Sequence, residues 1–135
     1  MAIRQISVFV GNEKGALCAL TGALAEAGVN LRALSVADTQ DFGILRLIVD
    51  DPDRAKAVLE ANGKIVSVTN VVAVSIPDEP GGLARVLSIL RDADINLEYL
   101  YAFVAPSGGH ASLVLRVADN AAAEAVLAQN GIPLE

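Results

Sequence analysis

The chain has 135 residues, 53% hydrophobic, 19% charged and 4% aromatic, with a formal net charge of −6, one Cys and one His. Such a composition buries a core, which excludes disorder as the main state. An acidic balance without a Lys/Arg cluster argues against nucleic acid as a partner, and one Cys with one His excludes a disulfide framework and a multi-thiolate zinc site.

The elements follow in chain order. Residues 3–10 read as a strand, with Ile6, Val8 and Val10 on one side and Gln5 and Ser7 on the other. Residues 15–28 read as a helix, with Leu17, Leu20, Thr21 and Leu24 at helical spacing and Gly28 as its stop. A strand over 31–37, a turn over 39–43 and a strand over 44–49 come next. Asp51-Pro52 opens a second helix, Gly63 closes it, and 65–68 is a short strand. The same order returns as strand 71–76, helix 81–93, strands 97–104 and 111–117, helix 120–129 and a clipped strand 132–134. Pro133 removes a ladder donor from that last strand and makes it weak or an edge.

This is an internal repeat. At a shift of 66 positions Val8, Glu13, Gly15, Leu17, Leu24 and Asn30 fall on Val74, Glu79, Gly81, Leu83, Leu90 and Asn96. At a shift of 68, Leu45, Leu47, Asp51, Asn62 and Gly63 fall on Leu113, Leu115, Asp119, Asn130 and Gly131. The two extra residues belong near Pro106–Gly109, where a turn absorbs an insertion at little cost. Each copy reads β-α-β-β-α-β, the split βαβ pattern. The fold class is α+β: two ferredoxin-like βαββαβ units, over 1–68 and 69–135, each an antiparallel sheet with two helices on one face.

The strands are apolar on both sides. Ile44 and Ile48 oppose Leu45, Leu47 and Val49, and Leu97, Tyr99, Tyr101 and Phe103 share a side opposite Leu100, Ala102 and Val104. A half-solvated sheet alternates apolar with polar, so the helix-free face is expected to be partly covered, by the other unit or another subunit. The longest uncharged stretch, 99–115, is short for a bilayer span and broken by Pro106, Gly108 and Gly109. The N-terminal MAIRQISVFVG has no long apolar run of the signal-peptide kind. A soluble, cytoplasmic protein without a membrane partner is expected.

Few residues are suited to catalysis. His110 reads as an exposed turn residue, Cys18 as a small hydrophobe on the first helix, and Glu13 and Glu79 as equivalents on different units. No nucleotide-binding, hydrolase or zinc-protease motif is present. The repeated loops GNEKGAL and PDEPGGL hold more promise. Gly15 and Gly81 permit a positive φ, and the helix starts that follow offer unpaired N–H groups to a small carboxylate. Asn12 and Asp78 are either helix caps or ligand contacts. Asn30 and Asn96 are either turn residues or groups that accept from an ammonium and donate to a carboxylate.

The pair GNEKGALCALTGALAEAGVNLRAL and PDEPGGLARVLSILRDADINLEYL resembles the signature of ACT domains, small regulatory modules that bind amino acids. DTQDFGILRLIVDDPDRA and YAFV resemble tandem ACT proteins in particular. The resemblance implies a ligand held between ACT units at the loops that lead from the first strand of each unit into its first helix. By motif position its residues are Asn12, Gly15, Leu17, Val29 and Asn30, and in the second unit Asp78, Gly81, Leu83, Ile95 and Asn96. Lys14 stands where the motif usually has Pro, Asp78 stands opposite Asn12, and Asp94 stands opposite Gly28, so the two sites are not equivalent. The expected protein is a sensor of a small amino acid without catalysis, cofactor or metal. It is expected to act as a homodimer, with output to an unidentified regulated enzyme because no enzyme domain is attached. The competing expectation is a ligand-free oligomerisation or interaction module; a small enzyme would need a reactive constellation that the sequence does not offer.

Overall fold

The computed structural model describes residues 3–38, 42–104 and 108–135. Residues 39–41 of the first expected turn, and Pro106 and Ser107 of the second, lie outside the described residues. The chain divides into two compact units, one of Arg4–Thr69 and one of Asn70–Glu135 together with Ile3. The first contains β1 (Ile3–Gly11), α1 (Ala16–Glu26), β2 (Leu31–Asp38), β3 (Phe42–Val49) and α2 (Pro52–Ala61). The strand β4 (Val66–Pro77) follows, then α3 (Gly82–Asp92), β5 (Leu97–Ala102), β6 (His110–Val117) and α4 (Asn120–Gln129).

Each unit is α+β. In the first, β3 pairs antiparallel with both β1 and β2. In the second, β6 pairs antiparallel with both β4 and β5. The expected last strand is reduced to a bridge between Leu134 and Val74, flanked by Ser75 N–H donating to Pro133 O and Glu135 N–H to Ala73 O. Pro133 has no N–H of its own to add to that ladder.

The helices start and stop where local chemistry dictates. Asp51 Oδ1 accepts from Arg54 N at 3.1 Å at the head of α2, and Asp119 Oδ1 accepts from Ala122 N at 3.0 Å at the head of α4. Asn62 and Asn130 each donate Nδ2 to the carbonyl four residues back, at 2.8 Å, at the ends of the same helices. Caps therefore repeat along with the core. Ile6, Val8, Leu45 and Leu47 of the first sheet pack on Leu20, Leu24, Ala55 and Leu59 of α1 and α2. Val72, Val74, Leu113 and Leu115 do the same against Val86, Leu90, Ala123 and Leu127.

Two features depart from the sequence reading. The strands expected over 65–68 and 71–76 are one strand, β4, starting at Val66. The stretch VSVTNVVAV holds no Gly or Pro to break it, and its β-branched residues favour extended backbone. The second departure is a register shift between Leu97 and Tyr99 in β5. It turns Leu97 to the helix side, where it packs with Leu100 on the second core, instead of sharing a side with Tyr101. The helix-free sides are partly out of solvent: Gln5, Ala33 and Ile48 are buried in the first unit, and Val71, Ala73, Tyr101 and Val114 in the second, while Phe9 is 48% exposed.

Arg4 on β1 and Asp53 on α2 form an ion pair at 2.8 Å. The hydrogen bond and charge of Arg4 hold the Asp53 carboxyl below its ordinary range. A depressed folded-state value means the pair contributes fully above the ordinary carboxylate range and fades as pH falls through the depressed value. Both side chains are well exposed, so the effect is small. Asp53→Asn is expected to change Tm slightly at neutral pH, with that difference vanishing in acid; a difference that grows in acid would contradict the pairing.

Candidate functional site

The β1–α1 loop is the most promising ground. Gly15 is the N-cap of α1 with φ 85°, and Gly81 is the N-cap of α3 with φ 87°, both in the left-handed region that glycine enters without a Cβ penalty. These caps differ from those of α2 and α4, since a glycine has no side chain to cap with. Asn12 and Asp78 stand three residues upstream and are not the N-caps. In α1 the first i→i−4 bond is Ala19 N–H to Gly15 O, so the N–H groups of Leu17 and Cys18 precede the helical ladder. Neither α1 nor α3 has an acidic residue in its first turn, which leaves the positive end of each dipole uncompensated there.

A cavity of about 230 Å³ opens at this corner of the first unit. The loop side is Gly11, Asn12, Glu13 and Gly15; the helix side is Leu17 and Cys18; the sheet side is Val10, Val36 and Gly43. Three expected site residues, Asn12, Gly15 and Leu17, are thus brought together. Glu13, Cys18, Val10, Gly11, Val36 and Gly43 were not expected. Glu13 is the most informative of these, because it brings an acidic residue to the loop side while Leu17 and Cys18, whose N–H groups precede the helical ladder, line the helix side.

Val29 and Asn30 lie elsewhere. They follow α1, whose 11 residues span about 16 Å at about 1.5 Å per residue. Val29 is a core residue, 6% exposed, with its N–H on Leu24 O. Asn30 N–H donates to Asp50 Oδ1 at 3.0 Å and Asn30 O accepts from Asp50 N at 3.2 Å, which fixes its backbone and leaves the side chain on the exposed surface. One small ligand does not reach both ends of α1 in the same unit.

The second unit separates its candidates in the same way. Asp78, Gly81 and Leu83 are exposed at the head of α3. Ile95 and Asn96 line a shallow cavity of about 540 Å³ at the other end of α3, with Leu87, Leu90, Arg91 and Asp94. Asp94 takes φ 58° where the first unit has Gly28 at φ 73°, as its short polar side chain permits.

A family model for the ACT domain pair matches residues 1–133. The chain belongs to the ACT domain pair family. Among relatives, an acetolactate synthase small subunit from Arabidopsis thaliana is 32% identical over 90 residues, 66% of this chain. That match spans 18% of the relative's own length. Among solved structures, protein BT0572 from Bacteroides thetaiotaomicron is 38% identical, covers 100% of this ACT pair and 92% of that chain, and has a TM-score of 0.93. The ligand-free regulatory subunit of aspartate kinase from Thermus thermophilus covers 95% of this chain and 91% of its own at 18% identity and a TM-score of 0.70, a likeness of fold.

Among the described residues of the ACT pair, no group of three or more His, Cys, Asp or Glu is placed to hold a metal. His110 is exposed, its Nδ1 3.2 Å from Gly108 O, and Cys18 is exposed at the edge of the cavity. Among them, too, no helix is long and apolar enough to cross a membrane.

Proposed function

We propose that this ACT pair, with its units over 1–68 and 69–135, binds a free amino acid at the β1–α1 corner of the first unit and regulates a separate enzyme, without a reaction of its own. Membership of the ACT domain pair family and the cavity at that corner carry the reading. In it, the ligand carboxylate faces the N–H groups at the head of α1, and the ammonium faces the carboxylate of Glu13 and the side chain of Asn12. Gly15 and Leu17 complete that half. Asn30, with the backbone of Val29, comes from a second copy of the chain, because both lie about 16 Å away within one unit. The working protein is then a homodimer in the cytoplasm. The small-subunit relative supports a role beside an enzyme carried on another chain.

A sensor operating at micromolar to millimolar ligand needs about 4–8 kcal/mol of binding energy, which a few charge-assisted hydrogen bonds and a small apolar contact supply. Binding passes on a signal when the ligand prefers one arrangement of the partners. A thermal-shift panel of the common amino acids, followed by calorimetry on wild type, Asn12→Ala and Asn30→Ala, tests this. At least one amino acid is expected to raise Tm, and both variants to bind it about tenfold more weakly with Tm nearly unchanged. Equal affinity in all three proteins removes both residues from the site. A panel with no shift favours the ligand-free interaction module, and a monomer in sedimentation at micromolar concentration defeats the shared site.

A further inference from the structure

The first unit has another hollow, in the groove between α1 and α2. Leu20 and Leu59, both buried, form its floor. Ala19 and Ala23 line it from α1, and Asn62 and Lys64 line it past the end of α2. Its volume is about 180 Å³, below the ~300–1,000 Å³ usual for drug-sized ligands. A free metabolite is oriented by several convergent polar groups, and this hollow has polar groups at one end only. Its scale is that of side chains protruding from another chain.

The second unit shows what such a groove holds when it is filled. Leu59 and Asn62 correspond to Leu127 and Asn130, but Ala19, Ala23 and Lys64 correspond to Arg85, Ile89 and Ile132. Arg85 reaches from α3 to the end of α4, where Nη2 donates to Asn130 O at 2.7 Å. Ile132 is a core residue, and Ile89 packs against the same core. The fold therefore accepts one long and two branched side chains in this place. The first unit puts two methyl groups and an ammonium there, and forgoes the burial that covering Leu20 and Leu59 would bring. Lys64 gives the hollow a sign. Its N–H donates to Leu59 O at 3.0 Å, which fixes its backbone at the groove, and among the described residues no carboxylate pairs with its ammonium. Nearby Glu60 is taken by Lys56 at 3.8 Å. An apolar hollow with a cation at its rim complements an apolar side chain beside a carboxylate. Against itself across a two-fold axis, the groove would set hollow on hollow and Lys64 on Lys64, which disfavours the same surface of a second copy.

We infer that the α1–α2 groove of the first unit docks a segment of a different protein, with an apolar side chain seated on Leu20 and Leu59 and an adjacent acidic residue paired with Lys64. The inference rests on the reading above only in taking the regulated enzyme to be a separate chain. The test is a nuclear magnetic resonance titration of the full chain with a synthetic helical peptide that carries leucines one turn apart and glutamates beside them. The amides of Ala19, Ala23, Leu59, Asn62 and Lys64 are expected to shift and saturate. Lysines in place of the glutamates, or alanines in place of the leucines, are expected to weaken binding at least tenfold. Ala19→Arg restores the side chain that fills the groove of the second unit, and is expected to keep Tm at or above that of wild type while weakening the acidic peptide at least tenfold. Lys64→Glu is expected to reverse the preference, so that the lysine peptide binds more tightly than the glutamate one. No saturable binding, shifts confined to other residues, or affinity that ignores both variants overturns the inference. A drop in sedimentation mass on Ala19→Arg overturns it as well, by showing that a second copy holds the groove. Amino acids that raise Tm while no peptide binds overturn the docking alone, and peptide binding beside an amino-acid panel with no shift overturns the amino-acid reading alone.

Discussion

Leu47→Ala is expected to lower the unfolding free energy by about 2–5 kcal/mol. Leu47 is 0% exposed, at the centre of the first core. Its Cα partners are Ile6 on β1 and Leu34 on β2, so ladder hydrogen bonds on both sides hold the backbone in place. The cavity left by the lost methyl groups has little freedom to collapse, and the cost is the transfer of the missing carbons plus the void they leave. A domain is stable by about 5–15 kcal/mol in all, so this is a large share. The repeat sharpens the expectation. Leu115 is the equivalent residue, also 0% exposed and between partners on β4 and β5, and Leu115→Ala is expected to cost the same. Ile65→Ala is the control: Ile65 is 73% exposed, and a change within about 0.5 kcal/mol is expected. Urea unfolding reads all three as midpoint shifts at constant slope. A loss below about 1 kcal/mol at Leu47 would mean that the core is not where the burial places it.

The repeat made most of the fold readable. Asp51 and Asp119 recur at a fixed shift because both cap the start of a helix, and Asn62 and Asn130 because both close one. Gly15 and Gly81 recur because both turn the chain into a helix at positive φ. What escaped the reading lacked a local signal. The register shift in β5 is set by pairing with β6, and nothing in LEYLYA announces it. The fusion of two expected strands into β4 follows from the absence of a breaker, which a reading built on repeated units overlooks. The site divides along the same line. Asn12, Gly15 and Leu17 are neighbours in sequence and were found together. Val36 and Gly43 reach the same cavity from β2 and β3, and only strand pairing brings them beside Val10. Glu13 lines the same cavity from the loop, and its recurrence as Glu79 marks the two as equivalents without pointing to that cavity.

Titration with the amino acid that binds is expected to saturate at one ligand per chain, although the chain contains two ACT units. The reason lies in the two loops. A Cβ on Gly82 would fall 2.5 Å from the carbonyl oxygen of Pro77, closer than any real Cβ comes, so the second loop is drawn tight against the end of its own strand. The equivalent residue in the first loop is Ala16, which carries that Cβ and is accommodated. Asp78 N–H is tied to Gly109 O at 2.9 Å, which holds the second loop to the connection before β6. Asp78 also places a negative charge where Asn12 offers a neutral amide, and a ligand carboxylate approaching the head of α3 would be repelled. Asn12→Ala is therefore expected to weaken binding about tenfold, or about 1.4 kcal/mol, the scale of one hydrogen bond to a charged group. Asp78→Ala is expected to leave affinity within about twofold, since in this reading it touches no ligand. Two ligands per chain, or a loss at Asp78→Ala as large as at Asn12→Ala, would show that the second corner binds as well and that its tight loop opens to do so.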